Sequence, residues 1–310
     1  MGPLLVLLSA TCFGAMAVLG KLAYEEGVPP TTLVLLRFVI AALVLGGAVA
    51  VAARMGRPAL PARPGGERRR LALTALALGC VGYAAQASFY FAALERIDAA
   101  LVALVLYTFP VMVTVASVLL GRDRLTPPRV AALVAATCGT ALVLVGAGGL
   151  AFHAAGVGLA FAAAVTYTGY ILVGDSTVQR VPPLTLTALV MTGAAVTLAV
   201  RALLTGGLDV DIRPVGWLWI GCIALVSTVV ASTAFFAGLH RTGPSTASIL
   251  STFEPVATVV LAAVVLGERL SPVQAVGGAL VLSSVLLVQL RRRTPLPPGD
   301  APGVPTGARR

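Results

Sequence analysis

Ten apolar stretches, each close to the length an α-helix needs to cross a bilayer, decide most of what this chain can fold into. They fall at about 3–22, 32–52, 71–93, 99–120, 129–147, 155–174, 184–204, 216–239, 245–266 and 272–290. With 58% hydrophobic and only 11% charged residues, the chain cannot supply the polar coat of a soluble domain. The apolar runs are continuous, whereas barrel strands would alternate. The breaks carry Pro, Gly or charge, as helix ends require: Val28-Pro29-Pro30, Arg63-Pro64-Gly65-Gly66, Thr126-Pro127-Pro128 and Gly243-Pro244. The expected fold class is an all-α integral membrane protein with ten transmembrane helices. The first run, Pro3 to Gly20, has no basic stretch ahead of it and reads as a retained helix. The polar, Pro- and Gly-rich segment 291–310 reads as a disordered cytoplasmic tail.

The net charge of +10 lies in the short loops, which points to membrane topology and not to nucleic acid. With the N-terminus inside, the second loop carries Arg54, Arg57, Arg63, Arg68, Arg69 and Arg70. The fourth carries Arg122, Arg124 and Arg129, and the tail opens with Arg291, Arg292 and Arg293. The other side holds mainly acids: Glu25, Glu26, Glu95, Asp98, Asp209 and Asp211. This asymmetry predicts cytoplasmic N- and C-termini. Cys12, Cys80, Cys138 and Cys222 lie singly within apolar runs and read as small packing residues. His153 and His240 are too far apart in sequence to suggest a metal site. The chain has no HExxH, no GxSxG and no phosphate-binding glycine loop. No enzyme activity and no cofactor are expected.

The two halves answer each other. Shifted by 145 residues, Phe91–Arg96 ("FAALER") lies on Phe236–Arg241 ("FAGLHR"), and Pro110-Val111 lies on Pro255-Val256. Asp123–Pro127 ("DRLTP") lies on Glu268–Pro272 ("ERLSP") without a gap. Five spans per half is an odd number, so the second half must enter the membrane from the opposite side. That is an inverted-topology repeat, a device of secondary transporters.

Glu254 lies near the middle of the ninth span, followed by Pro255. An ionised carboxylate at that depth costs roughly 2.5–3.5 kcal/mol on insertion scales. It must be protonated, paired, or facing water. Pro255 has no amide hydrogen and frees a carbonyl one turn earlier, which opens or kinks the helix. Two readings stand side by side. Glu254 binds an amine or exchanges a proton, or it hydrogen-bonds a neighbouring helix and braces the kink.

Other polar side chains align by helical period. Ser248, Ser251, Glu254 and Thr258 share one side of the ninth span; Tyr83, Gln86 and Tyr90 share one side of the third. Tyr167 and Tyr170 align in the sixth, Tyr107 and Thr114 in the fourth, and Ser227, Thr228 and Ser232 in the eighth. Ser and Thr commonly glue membrane helices together. For Gln86 and the tyrosines, cavity lining competes evenly with packing. Arg37, about a turn inside the outer end of the second span, has a cheap reading as a snorkelling side chain. Its sharper reading is a gate pairing with an outer acid. Asp175 reads as a cap or surface charge, and Arg241 beside His240 as a topology signal. The candidate substrate-binding set is Glu254, Tyr83, Gln86, Tyr90, Tyr107, Tyr167, Tyr170 and Ser251. Arg37, Pro110 and Pro255 are gate or structural candidates.

The ten-span, five-plus-five layout resembles the drug/metabolite transporter superfamily in its EamA-type branch. Cys12-Phe13-Gly14, Leu36-Arg37-Phe38, the ends "GRDRLTP" and "GERLSP", and Phe253-Glu254-Pro255 carry the resemblance over about 3–290. Phe13 departs from the family's frequent Trp before Gly, and Phe109 stands where the first half would match Glu254. The resemblance implies two EamA-like five-helix repeats, 3–147 and 155–290, in a bacterial plasma (inner) membrane. It implies secondary export of a small metabolite by alternating access, amino-acid-like as a first expectation. Alternatives are an amine or multidrug exporter, with Glu254 holding the cation and the tyrosines adding cation–π contact, and a non-transporting scaffold or passive facilitator. The implied partners are a small-molecule substrate and the lipid bilayer.

Overall fold

The computed structural model describes residues 1–60, 65–94, 96–97, 99–145, 153–204, 210–267 and 271–290. The tail 291–310 and the loop charges Arg63, Glu95, Asp98, Asp209, Glu268 and Arg269 lie outside the described residues. The described secondary structure is helical throughout and falls into ten helices. They are α1 (Gly2–Glu25), α2 (Pro30–Arg54), α3 (Gly65–Ala77, Leu78–Tyr83, Ala84–Leu94), α4 (Ala99–Leu106, Phe109–Leu119) and α5 (Pro127–Val145). The second half has α6 (Ala154–Val178), α7 (Pro183–Leu204), α8 (Pro214–Ala224, Leu225–Val230, Ala231–Thr242), α9 (Pro244–Ser251, Phe253–Leu266) and α10 (Pro272–Leu290). Among the described residues nine helices are long and apolar enough to cross a membrane, and the tenth adds the shorter apolar stretch Pro272–Val288. The chain is an all-helical multi-pass membrane protein.

Local chemistry sets the ends. Helices α2, α5, α7, α8, α9 and α10 begin on a proline, whose fixed φ suits the first helical position and whose missing amide is no loss there. Gly243 (φ 78°) separates α8 from α9, and Gly267 (φ 69°) stops α9, each in a conformation other residues avoid. Leu43, Leu119, Leu203, Leu204 and Val264 are well exposed on the outside of the bundle. Such a surface is stable against lipid and not against water.

Packing relies on glycine at close helix crossings. A Cβ on Gly139 would lie 2.7 Å from the Gly277 carbonyl oxygen, and one on Gly277 would lie 2.6 Å from that of Gly139. Gly139 also faces Val281, and Gly277 faces Val143, so α5 and α10 run antiparallel. The same small-residue approach joins α1 to α8, where Gly2 meets Thr242 and Gly238 meets Val6. It recurs between α3 and α7, where Gly79 meets Val190 and Gly193 meets Leu76. Helix α1 packs on α8 and α9, and α6 packs on α3 and α4. The first five helices thus use the last five as the last five use the first.

The correspondence extends to irregularities. Each half has one helix with a π-helical stretch, Leu78–Tyr83 in α3 and Leu225–Val230 in α8. Each half also has one broken helix, interrupted at 107–108 in α4 and at Thr252 in α9. Tyr107 and Thr252 are 145 residues apart, the offset of the sequence repeat. Pro110 and Pro255 follow these breaks and remove the amide that would have bonded the turn before. The break before Pro255 agrees with the expected opening of the ninth span, while the π stretches and the α4 break are features the spans read from the sequence did not include. Hydropathy does not register a π turn or a one-residue break.

At the end of the bundle that holds Met1, Arg122 lies 3.7 Å from Asp175 and donates to the Leu172 carbonyl at 2.9 Å. Gln179 donates to the His240 carbonyl at 3.2 Å, and the His240 ring Nδ1 lies 3.0 Å from the Val178 carbonyl. Asp175 is therefore an interhelical partner and not a surface charge. The link ties the α4–α5 loop to α6, and through it to α8. At the opposite end Glu26 lies 3.8 Å from Arg213.

Candidate functional site

The two mid-span breaks bring their side chains to one place. Tyr107 sits in the α4 break, and its hydroxyl lies close to the Glu254 carboxyl from α9. Its ring also lies 5.8 Å from Phe109, the first-half counterpart of Glu254. From Phe109 a line of aromatic rings crosses the core. Phe109 packs edge-on to Tyr167 at 4.7 Å, and Tyr167 stacks on Tyr170 at 5.9 Å. Tyr170 meets Tyr83 at 5.8 Å, and Tyr83 meets Phe38 at 5.1 Å. A side branch runs from Tyr170 to Phe236 at 6.0 Å and on to Phe235 at 5.7 Å. These separations suit favourable edge-to-face and offset packing.

Five of the sequence-derived tyrosines therefore meet around Glu254. Tyr83, Tyr90, Tyr107 and Tyr167 lie in its neighbourhood, and Tyr170 joins through its ring contacts. Tyr90 also packs against the small core around Ile97 and Val102. Glu254, Tyr83, Gln86, Tyr90, Tyr107 and Tyr167 are half-buried, as residues bordering an internal space would be, while Tyr170 is buried. Among the described residues Gln86 makes no hydrogen bond to this cluster. Two shallow clefts lie elsewhere, on the apolar outer faces of α5, α9 and α10. They are lined almost wholly by aliphatic side chains and offer no chemistry.

The hydroxyl groups are largely spent on the backbone. Ser251 donates to Ala247 at 2.9 Å, Ser248 to Ser245 at 3.0 Å and Thr252 to Ile249 at 2.6 Å. Ser251 is thus a bracing residue whose hydrogen already has an acceptor. Thr258 reaches both the Glu254 carbonyl at 3.1 Å and the Gly14 carbonyl of α1 at 3.2 Å. Gly14 lets α1 come this close: a Cβ there would lie 2.8 Å from the Glu254 carbonyl oxygen and 3.0 Å from the Thr258 nitrogen. Gly14→Ala is expected to push α9 away, costing about 1–3 kcal/mol as overpacking does, and to lower transport. Thermal unfolding and transport assays in one preparation check this. Wild-type values in both would show that α1 and α9 are not so closely apposed.

Arg37 departs from its sequence reading. It does not snorkel: only 8% of its surface is exposed. Among the described residues no acid forms an ion pair with it, and Glu26 lies against Arg213. Its guanidinium lies 4.5 Å from the Phe38 ring centre, contacts the Met16 sulfur, and lies close to the Tyr83 hydroxyl. Phe38, Phe109 and Phe236 were missed as site residues. No periodic polar pattern marks a phenylalanine, and only the packing shows which rings adjoin the tyrosines. Among the described residues no cluster of His, Cys, Asp or Glu could hold a metal ion.

Comparison with known proteins agrees with the architecture. A solved crystal structure shares the fold with a TM-score of 0.77 at 22% identity, covering 94% of this chain and 99% of its own. The aromatic amino acid exporter YddG of Ancylobacter novellus is 31% identical over 293 residues, which is 90% of this chain and 94% of that protein. An uncharacterized transporter, YcbK, of Bacillus subtilis is 25% identical over 283 residues, covering 89% of this chain and 88% of its own. Residues 1–145 and 154–290 each match the EamA-like transporter family. The chain belongs to the EamA-like transporter family.

Proposed function

We propose that this transporter exports a small amino-acid-like metabolite, aromatic amino acids first, across the bacterial plasma membrane. One observation carries the reading: a carboxyl at the α9 mid-span break, close to Tyr107 of the matching α4 break, where a line of tyrosine rings from α3, α4 and α6 begins. A carboxylate binds the ammonium group and aromatic faces take a flat side chain. The relative named as an aromatic amino acid exporter supports the same substrate class.

In this reading the repeats 3–147 and 155–290 are inserted with opposite topology and rock about the site in alternating access. The Arg-rich loops and both termini face the cytoplasm. The Arg122–Asp175 link then holds the cytoplasmic end closed in this conformation. A gradient, a partner or the substrate's own gradient supplies the driving force.

Overexpression in a bacterial host tests this. Resistance to toxic aromatic amino acid analogues, with the parent amino acids accumulating in the medium, is the expected result. Resistance confined to lipophilic cations would instead support an amine or multidrug exporter. No change in either would sink both transport readings.

A further inference from the structure

We infer that Arg37 is the carboxylate-binding residue of the substrate site, so that the transporter selects zwitterions over simple amines. This rests on the amino-acid reading above and adds a second charged contact to it. Arg37 is more than nine-tenths buried, inside a span, with its Nε–H bonded to nothing. A buried guanidinium without a counter-ion is costly, and so is a buried donor without an acceptor. The partners it has are poor ones for a cation: the Met16 sulfur, the Phe38 ring face and the neutral Tyr83 hydroxyl. None carries negative charge.

Glu254 does not neutralise it. The structure shows no ion pair between the two, and the carboxyl is turned to Tyr107. The site therefore presents a cation and a carboxyl kept apart, connected by the ring line Phe38–Tyr83–Tyr170–Tyr167. A solute with an ammonium, a carboxylate and a planar side chain complements all three features. Its carboxylate would take the free Nε–H together with a terminal N–H in the paired geometry that guanidinium favours. A primary amine without a carboxylate would leave Arg37 as uncompensated as it is now.

Purified protein in proteoliposomes tests this with three solutes of one shape: L-phenylalanine, phenethylamine and 3-phenylpropionate. Wild type is expected to favour phenylalanine over phenethylamine by at least about tenfold in apparent affinity. Arg37→Gln should erase most of that preference by lowering the apparent affinity for phenylalanine at least about tenfold more than that for phenethylamine. Arg37→Lys, which keeps the charge and loses the fork, should fall between. Thermal shifts of wild type with each solute give the same ranking without any variant, in case Arg37→Gln does not fold. Unchanged selectivity in Arg37→Gln overturns the inference and makes Arg37 a packing residue, with the exporter reading intact. A wild type that prefers phenethylamine also overturns it, in favour of an amine exporter. If wild type moves and binds none of the three, the amino-acid reading fails and the subsite fails with it.

Discussion

Glu254→Gln is expected to abolish gradient-driven accumulation of substrate, lowering it by at least about tenfold, while substrate exchange partly survives. The carboxamide keeps the size of the side chain and an oxygen that can accept from Tyr107. It cannot carry charge or release a proton. A hydrogen bond to a charged group is worth about 1.5–3 kcal/mol, which corresponds to roughly ten- to hundredfold in affinity for an ammonium ligand. Exchange down a balanced gradient needs no coupling ion and should tolerate the change better. Paired measurements of accumulation and exchange in proteoliposomes decide the matter. Normal accumulation by the variant would reduce Glu254 to a brace for the Pro255 kink.

Gly79→Leu should have the largest effect on stability. A Cβ at Gly79 would lie 2.0 Å from the Val190 carbonyl oxygen and 2.8 Å from its carbonyl carbon. These are backbone atoms of α7, which cannot rotate aside. The facing Gly193 is equally confined, with a Cβ there 2.3 Å from the Leu76 carbonyl oxygen. Overpacking in cores costs about 1–3 kcal/mol and more where the obstacle is rigid. Helices α3 and α7 would have to separate, and the π turn carrying Tyr83 would move with them. The expected result is failure to recover monodisperse protein in detergent, or a large fall in melting temperature. Gly158→Leu is the control, because nothing lies within 4 Å of a Cβ there. If both variants melt alike, the tight α3–α7 crossing is wrong.

Much of the site was legible in one dimension. Glu254 and Pro255 stand out because a carboxylate and a proline both carry a cost inside an apolar span. The tyrosines stand out for a similar reason, as large polar-tipped groups at depth. Gln86 was drawn in by its spacing from Tyr83 and Tyr90, yet spacing on one helix does not show what faces it. Arg37 was misread because snorkelling is the usual outcome for an arginine near a helix end. Whether it can reach water depends on what packs over it, here Met16, Phe38 and Tyr83.

The sequence by itself determined the medium, the number of apolar spans and the order of the repeated punctuation. These follow from transfer energies and backbone constraints that act within a single helix. Only the tertiary structure decided that the two breaks adjoin, that the aromatic rings form one line, and that Arg37 is enclosed without a counter-ion among the described residues. Lipid rewards every apolar face alike, so contacts between membrane helices are chosen by close packing at glycines such as Gly14, Gly79 and Gly139. That choice is made between segments far apart in the chain, where periodicity carries no information.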